Sequence, residues 1–154
     1  MADLEFSKEP AQFTHILVGV DESEQGYLAL ENAIHQALED ESTLYIASVL
    51  ELGDMTTFDA MRLDSIKAAR QVIEDNLAKY KAHAIERGVA NVETLFVDGA
   101  KVGEALVNDL ATKVHADLIV VGAHSKQGFW GNLGSQAAYI AKHAHVTAMI
   151  ARCC

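Results

Sequence analysis

Two short polar segments of the sequence hold the residue types and spacings that could do chemistry. One is the tripeptide Asp-Glu-Ser at 21–23, which follows an apolar run. The other is GAHSKQGFWGNLGS at 122–135, which combines four glycines, two serines and the single tryptophan. Glycines let backbone N–H groups approach an anion without an intervening Cβ, and a helix that starts at Ser135 would attract negative charge to its N-terminus. The second segment is therefore a candidate phosphate-binding loop.

This glycine-rich segment differs from the two commonest phosphate-binding motifs. A Walker loop needs Gly-Lys followed by Ser or Thr at the helix start, and the segment has no such sequence. Its nearest match to GxGxxG, namely Gly128, Gly131 and Gly134, has a different spacing and follows the fourth apolar run of the chain instead of the first. Glycines at strand-to-helix turns also often serve the turn alone. The spacing by itself leaves both a binding loop and a structural turn open.

Alternating hydrophobic patterns predict the elements that must position these segments. Five short apolar runs predict β-strands, at 14–20, 43–50, 91–97, 116–122 and 146–152. Between the runs, apolar residues recur every three or four positions, which predicts helices over Tyr27–Leu38, Ile66–Ala84, Val107–Val114 and 135–144. Strands that alternate with helices imply right-handed βαβ crossovers and a parallel sheet. We therefore predict a doubly wound α/β fold with helices on both faces of the sheet.

Both polar segments directly follow predicted strands. In doubly wound sheets, ligands bind outside the carboxyl ends of the strands, at the point where the strand order reverses. Asp21 or Ser23 is also predicted to cap the first helix, and Gly88 to end the second. Helix capping and ligand binding are thus both open for the first segment.

The composition of the chain limits its classes of partner. Twelve Lys and Arg residues against 22 Asp and Glu residues give a net charge of -10. This charge repels nucleic acids and anionic membranes at long range, so any bound anion must be held by local geometry. No apolar run approaches the roughly 20 residues of a membrane span. We expect one domain, residues 14–154, after a short N-terminal arm, residues 1–13, with neither nucleic acid nor membrane as partner.

Both ends of the sequence favour a reducing compartment. The N-terminal residues include acidic side chains where a secretory signal would be basic and then apolar. The only cysteines, Cys153 and Cys154, are adjacent and cannot link distant parts of a core. We therefore expect a cytoplasmic protein with two free thiols.

Several motifs occur together along the chain: HILVGVDES at 15–23, DLIVVGAHS at 117–125, LGS at 133–135 and a terminal apolar strand. As a set, they resemble the universal stress protein family, over residues 14–151. The resemblance implies a five-stranded parallel sheet in the order 3-2-1-4-5. The first and fourth strands are neighbours in that order, so the resemblance also implies that the two polar segments face each other at one site.

One branch of that family binds ATP through the pattern Gly, two residues, Gly, nine residues, Gly, then Ser or Thr. Gly122 matches the first glycine of the pattern, and Gly134 with Ser135 matches its closing pair. Ser125 stands in place of the second glycine, and eight residues separate Ser125 from Gly134. The chain therefore matches this pattern in part.

A second branch of the family, the UspA type, lacks the glycine pattern and is not expected to bind nucleotide. The aromatic pair Phe129 and Trp130 resembles this branch. The sequence is therefore intermediate between the two branches. Two functions stay open, a nucleotide-binding dimer and a dimeric interaction protein without nucleotide.

The resemblance also implies a set of residues for an adenine nucleotide. Asp21 matches an acid that contacts the ribose or the region of the phosphate-bound metal, and Val49 matches a position whose backbone meets the adenine edge. His124 lies in the loop and could donate a hydrogen bond to a phosphate. The implied nucleotide-binding residues are Asp21, Ser23, Val49, Gly122, His124, Ser125, Gly134, Ser135 and Gln136.

From these residues we expect an ATP-binding dimer, with or without Mg²⁺, that acts in stress response or signalling. The last predicted strand, Val146–Arg152, is apolar and lies at a sheet edge, where unpaired backbone groups invite another chain. In the family this strand pairs with its twofold mate. A homodimer through this strand is the expected assembly, and further protein partners are not identified by the sequence.

The sequence does not favour an enzyme or a metal site. No Ser or Cys nucleophile with a discernible relay surrounds His124. We therefore expect no catalytic residues and at most slow, incidental ATP hydrolysis. His143 and His145 lie close together but have no Cys or carboxylate between them, so we expect no metal site there.

Overall fold

The five predicted strands form one parallel sheet in the order β3-β2-β1-β4-β5. A computed structural model describes residues 4–9, 11–51, 59–98, 101–124 and 134–153. Its strands are β1 (His15–Gly19), β2 (Thr43–Leu50), β3 (Val92–Asp98), β4 (Leu118–Gly122) and β5 (Thr147–Ala151). These limits differ from the predicted ones by two residues at most. The predicted fold class and strand order are confirmed.

Helices connect the strands as the apolar periodicity predicts. They are α1 (Glu24–Asp40), α2 (Asp59–Arg87), α3 (Val102–Glu104), a π-helical segment (Ala105–Leu110), α4 (Ala111–Lys113) and α5 (Ser135–His143). The first three predicted helices begin several residues too late, because an apolar stripe marks only the packed part of a helix and the first turns are polar or partly exposed. No described helix has both the length and the apolar character that crossing a bilayer requires.

Side chains from the central strands are buried on both faces of the sheet. Along β1, Ile16 and Val18 pack beneath α1 and α2, whereas Leu17 packs beneath the π-helical segment and α5. All three side chains are fully buried. Burial of each such side chain stabilises the fold by about 1.5–3 kcal/mol. The helices that follow β1 and β4, namely α1 and α5, therefore lie on opposite faces of the sheet. The crevice at which such folds bind ligands lies between these two strands.

Gly88 ends α2 as predicted. Its φ of 111° lies in the left-handed region, which favours glycine. Its backbone N–H donates to the carbonyl of Ile85 at 3.0 Å. The chain then turns into β3.

The two ends of the chain are exposed where they are described. Residues 4–9 belong to the predicted arm and are exposed, including Leu4 and Phe6. Cys153 is exposed and has a free thiol, whereas Pro10 and Cys154 lie outside the described residues. The predicted boundary between arm and domain stays a prediction.

Asp117 ties the amino ends of β1 and β4 together. Its carboxylate accepts hydrogen bonds from the backbone N–H groups of Thr14 at 2.8 Å and His15 at 3.0 Å. The hydroxyl of Thr14 donates a third bond at 3.0 Å. Partial burial alone would raise the pKa of Asp117, but these donors outweigh it and lower the pKa below its usual value. The charged carboxylate therefore stabilises the folded state.

Replacing Asp117 by Asn should weaken the fold in a pH-dependent way. Because the pKa of Asp117 is lower in the folded state, its contribution is present above the unfolded pKa of about 3.9 and is lost as the pH falls through the lower folded value. Since solvent reaches this carboxylate, we expect Asp117→Asn to lower the free energy of unfolding at pH 7 by about 1 kcal/mol.

Urea unfolding at pH 7 and at several lower pH values measures this effect. The difference between wild type and Asp117→Asn should shrink as the pH falls below 4. Asp64→Asn removes an exposed carboxylate of α2 and serves as the control. An equal loss for both variants at all pH values would contradict the role of Asp117.

Candidate functional site

The two polar segments meet at the carboxyl ends of β1 and β4, which are paired neighbours. A cavity opens there between Asp21 on one side and Gly122 and His124 on the other. Of the nine predicted site residues, seven line this cavity: Asp21, Val49, Gly122, His124, Gly134, Ser135 and Gln136. Ser23 is not among the lining residues, and Ser125 lies outside the described part of the chain. The structure therefore brings most of the predicted site together.

Ser23 caps α1 and holds Asp21 in place. The Ser23 Oγ accepts a hydrogen bond from the backbone N–H of Gly26 at 3.0 Å, as an N-cap does. The hydroxyl of Ser23 donates to the Oδ1 of Asp21, and the backbone N–H of Ser23 donates to the same oxygen at 3.0 Å. Of the two residues predicted as possible caps, Ser23 is the cap and Asp21 is positioned by it.

The first turn of α5 lies at the cavity, and no hydrogen bond from its first N–H groups is formed within the described part of the chain. Gly134 is its N-cap, in extended conformation, and none of the described side chains caps the helix. The first bond within the helix runs from the N–H of Ala138 to the carbonyl of Gly134 at 2.9 Å. The N–H groups of Ser135, Gln136 and Ala137 precede that bond, and all three residues line the cavity. Together with the helix dipole, these donors can hold an anion.

Gly122 allows α1 to pack closely against the end of β4. A Cβ at this position would lie 2.8 Å from the carbonyl carbon of Gln25 and 2.9 Å from its oxygen. At Gly134, a Cβ would lie 3.1 Å from the carbonyl oxygen of Ala123. Sequence reasoning assigned these glycines to the approach of an anion. The structure adds a packing reason for each, which holds without any ligand.

Two polar side-chain atoms beside the cavity are buried without hydrogen-bond partners among the described residues. They are the Nδ1 of His124 and the Oε1 of Gln25. His124 lines the cavity, and Gln25 contacts the end of β4 at Gly122. A buried polar atom without a partner costs about 1–3 kcal/mol, and such atoms often mark the position of a ligand or an ordered water.

Two side chains accept hydrogen bonds from the N-terminus of α3. The Oε1 of Gln136 accepts from the N–H of Gly103 at 2.8 Å, and the Oε1 of Glu51 accepts from the N–H of Val102 at 3.1 Å. Gln136 was predicted from the family pattern only as a ligand residue. Val102 also lines the cavity and was missed, because no motif of the sequence singles it out.

The described cavity residues include one carboxylate, Asp21, and one imidazole, His124, but neither Lys nor Arg. Among the described residues, the groups that could attract an anion are therefore mainly backbone N–H groups. Lys126, Phe129 and Trp130 belong to the part of the loop that lies outside the described residues. Among the residues that are described, no group of three His, Cys, Asp or Glu side chains could hold a metal ion by itself.

Gly122→Ala should destabilise the fold because the new Cβ would overlap the backbone of Gln25. Overpacking of this kind costs about 1–3 kcal/mol, measured as the free energy of unfolding in urea. Gly134→Ala is the matched comparison, since its Cβ would meet only one carbonyl oxygen, at 3.1 Å. The free energy of unfolding should fall less for Gly134→Ala than for Gly122→Ala. A Gly122→Ala variant as stable as wild type would show that the approach of α1 is not tight.

A comparison with known protein families and sequences agrees with the geometry. The family model described as the Universal stress protein family matches residues 12–152. One sequence relative, from Staphylococcus saprophyticus, carries the name of a universal stress protein. It is 26% identical over 142 residues, which cover 91% of this chain and 84% of that protein.

Solved structures share the fold. Universal stress protein UspA from Lactobacillus plantarum superposes with a TM-score of 0.84 at 23% identity, covering 93% of this chain and 100% of that one. A universal stress protein in complex with cAMP superposes with a TM-score of 0.70 at 26% identity, covering 92% of this chain and 98% of that one.

Proposed function

This chain belongs to the universal stress protein family, and we propose that it binds an adenine nucleotide as a dimer. The nucleotide is ATP, with or without Mg²⁺, and its binding serves stress response or signalling. One observation carries the proposal: the first turn of α5, which no described side chain caps, lines a cavity that Asp21 and Val49 also line. The solved relative that holds cAMP supports an adenine nucleotide as the ligand.

The phosphate end of the nucleotide fits the first turn of α5. The N–H groups of Ser135, Gln136 and Ala137 supply donors that need no positive side chain. The Nδ1 of His124, when protonated at that atom, adds a donor whose partner a phosphate oxygen would supply. Since the chain carries a charge of -10, affinity must come from such short-range contacts.

The base and ribose fit the rest of the cavity. Apolar side chains suited to a flat ring also line the cavity: Ala47, Val49, Val102, Val121 and Ile140. The described hydrogen bonds of Asp21 use Oδ1. In the proposed complex, its Oδ2 accepts from a ribose hydroxyl or contacts a phosphate-bound Mg²⁺.

The second candidate function is that of a UspA-type dimer without nucleotide. It is favoured by Ser125 in place of a glycine and by the eight residues between Ser125 and Gly134. In this alternative the cavity stays a packing feature of the fold, as the contacts of Gly122 allow. Nucleotide binding tests the two functions directly.

We further propose a binding role and not a catalytic one. The described hydroxyl that donates to a carboxylate at this site is that of Ser23, and its oxygen already accepts from Gly26 as the α1 cap. It is therefore not placed as a nucleophile.

The free thiol of Cys153 fits a reducing compartment such as the cytoplasm.

Isothermal titration with ATP, AMP and cAMP, each with and without Mg²⁺, tests the nucleotide proposal. We expect Asp21→Asn to weaken ATP binding about tenfold or more, because it removes a charge-assisted contact and keeps an acceptor for Ser23. Glu24→Gln removes a neighbouring exposed charge and is the matched control. The protein should also release adenine nucleotide on denaturation, detected by chromatography.

If the folded protein neither binds any of these nucleotides nor carries one through purification, the UspA-type function is the correct one. Equal weakening by Asp21→Asn and Glu24→Gln would show a general charge effect and no contact by Asp21.

The edge strand β5 supports the proposed dimer. It pairs with β4 on one side and ends the sheet on the other. Its apolar residues Ala148, Met149 and Ile150 are only half-buried in the single chain. An apolar edge strand presents backbone groups and side chains that a second copy could cover.

Met149→Lys should shift the protein from dimer to monomer, because an edge lysine opposes pairing with another strand. Sedimentation velocity at several concentrations measures the change, and circular dichroism checks that the fold persists. Ile85→Lys makes the same kind of replacement on α2, where Ile85 is 52% exposed, and should leave the dimer intact. A monomeric wild type, or a Met149→Lys variant that remains dimeric, would rule out this interface.

A further inference from the structure

The side-chain amide of Gln136 joins the first turn of α5 to the first turn of α3. Its Oε1 accepts a hydrogen bond from the backbone N–H of Gly103 at 2.8 Å. A Cβ on Gly103 would lie 3.0 Å from that Oε1 and 3.2 Å from the backbone carbonyl oxygen of Gln136, so the two turns are in close contact. Because the N–H of Gly103 needs an acceptor, this contact also determines which end of the amide is the oxygen.

The Nε2 of Gln136 keeps two donor hydrogens. Among the described hydrogen bonds of this side chain, the one to Gly103 uses the oxygen and leaves the nitrogen unused. Gln136 lines the first cavity and belongs to the turn of α5 whose backbone N–H groups could hold an anion. A phosphate oxygen bound at that turn would supply an acceptor for Nε2.

Side chains also supply the acceptors for the first N–H groups of α3. The N–H of Val102 donates to the Oε1 of Glu51 at 3.1 Å, whereas the N-cap, Lys101, makes no side-chain bond to the helix. The first backbone bond of the helix runs from the N–H of Ala105 to the carbonyl of Lys101 at 2.9 Å. The start of α3 is therefore held by Glu51 and Gln136, and the loss of either acceptor would loosen it.

The π-helical segment continues from α3 and makes a second contact with α5. The Nδ2 of Asn108 donates to the hydroxyl of Tyr139 at 3.2 Å. On the buried side, Leu106 packs in the same core as Ile140 of α5. Segments of π-helix often occur at functional sites. Both α3 and the segment that follows it are thus in contact with the helix that begins at the cavity.

We propose that a phosphate-bearing ligand in the first cavity stabilises α3 through the amide of Gln136. The Nε2 donates to a phosphate oxygen while the Oε1 keeps its bond to Gly103. The bound ligand then immobilises the amide, so the start of α3 opens less often. This coupling depends on the proposed nucleotide binding and adds to it a means of regulation, since occupancy of the cavity changes the stability of a surface helix.

Hydrogen exchange at the backbone amide of Gly103 tests the coupling. It is measured by nuclear magnetic resonance on the full-length protein, free and with saturating ATP or adenosine. We expect ATP to slow this exchange several-fold, and adenosine, which has no phosphate, to leave it unchanged. The amide of Gly88 donates to Ile85 at the end of α2 and is the internal control, because it reports local opening elsewhere in the fold.

Gln136→Glu separates the two ends of the amide. The carboxylate still accepts from Gly103, so exchange there in the free protein should stay close to that of wild type. It offers no donor to a phosphate and adds a negative charge, so the affinity for ATP should fall about tenfold or more. Asn108→Asp makes the same change from amide to carboxylate at an exposed position and should leave that affinity unchanged.

Gln136→Met removes both hydrogen-bonding atoms at similar side-chain length and adds no charge. Exchange at Gly103 should become faster in the free protein, and ATP should no longer slow it. The affinity for ATP should fall several-fold, whereas that for adenosine should not change. Circular dichroism checks that each variant is folded.

Isothermal titration of the wild type distinguishes this coupling from the proposed function. If the wild type binds no ATP, nucleotide binding is wrong and the coupling is overturned with it. If ATP binds but exchange at Gly103 does not change, or slows equally with adenosine or equally at Gly88, the coupling alone is overturned. An affinity for ATP that Gln136→Glu leaves intact, or that Asn108→Asp lowers to the same extent, would also overturn it.

Discussion

The close approach of α1 to the end of β4 determines how the residues around the crevice are arranged. The first turn of α1 reaches Gly122 so tightly that a Cβ there would lie 2.8 Å from the carbonyl carbon of Gln25. Because Ser23 caps this helix, the same approach fixes Asp21 beside β4. Beyond Gly122, the N–H of Ala123 donates to Ala151 at 2.8 Å and its carbonyl accepts from Gly134 at 2.7 Å. Both termini of the glycine-rich loop are thus held by backbone contacts.

The proposed anion site consists of backbone N–H groups in the first turn of α5. Because these donors need no basic side chain, an acidic chain can still have such a site. The described lining contains neither Lys nor Arg, and the attraction of the first turn of α5 for an anion falls off within that turn. At longer range the charge of -10 repels anions. Under the proposed function, such a site would select ligands that fit its N–H groups over anions in general. The apolar side chain of Val49 in the same cavity would then favour a ligand with a base over a free phosphate.

The sequence predicted the strands well because each is a short apolar run buried on both faces, as Ile16 and Leu17 of β1 illustrate. It predicted seven cavity residues because they adjoin strand ends, or match a family pattern. It did not show that Gly122 serves close packing as well as the approach of an anion. The packing contact is with Gln25, a residue that belongs to no motif. The contact of Gln136 with Gly103 was missed for the same reason, since it joins two helices far apart in sequence.

The end of β1 can be reached from both faces of the sheet. β1 ends at Gly19, and Val20 and Asp21 extend beyond it. Both residues line the cavity that the first turn of α5 also lines, and both line a second cavity on the side of α2, next to Ala69 and Val72. A change in the position of Asp21 therefore alters the charge that is presented to both cavities.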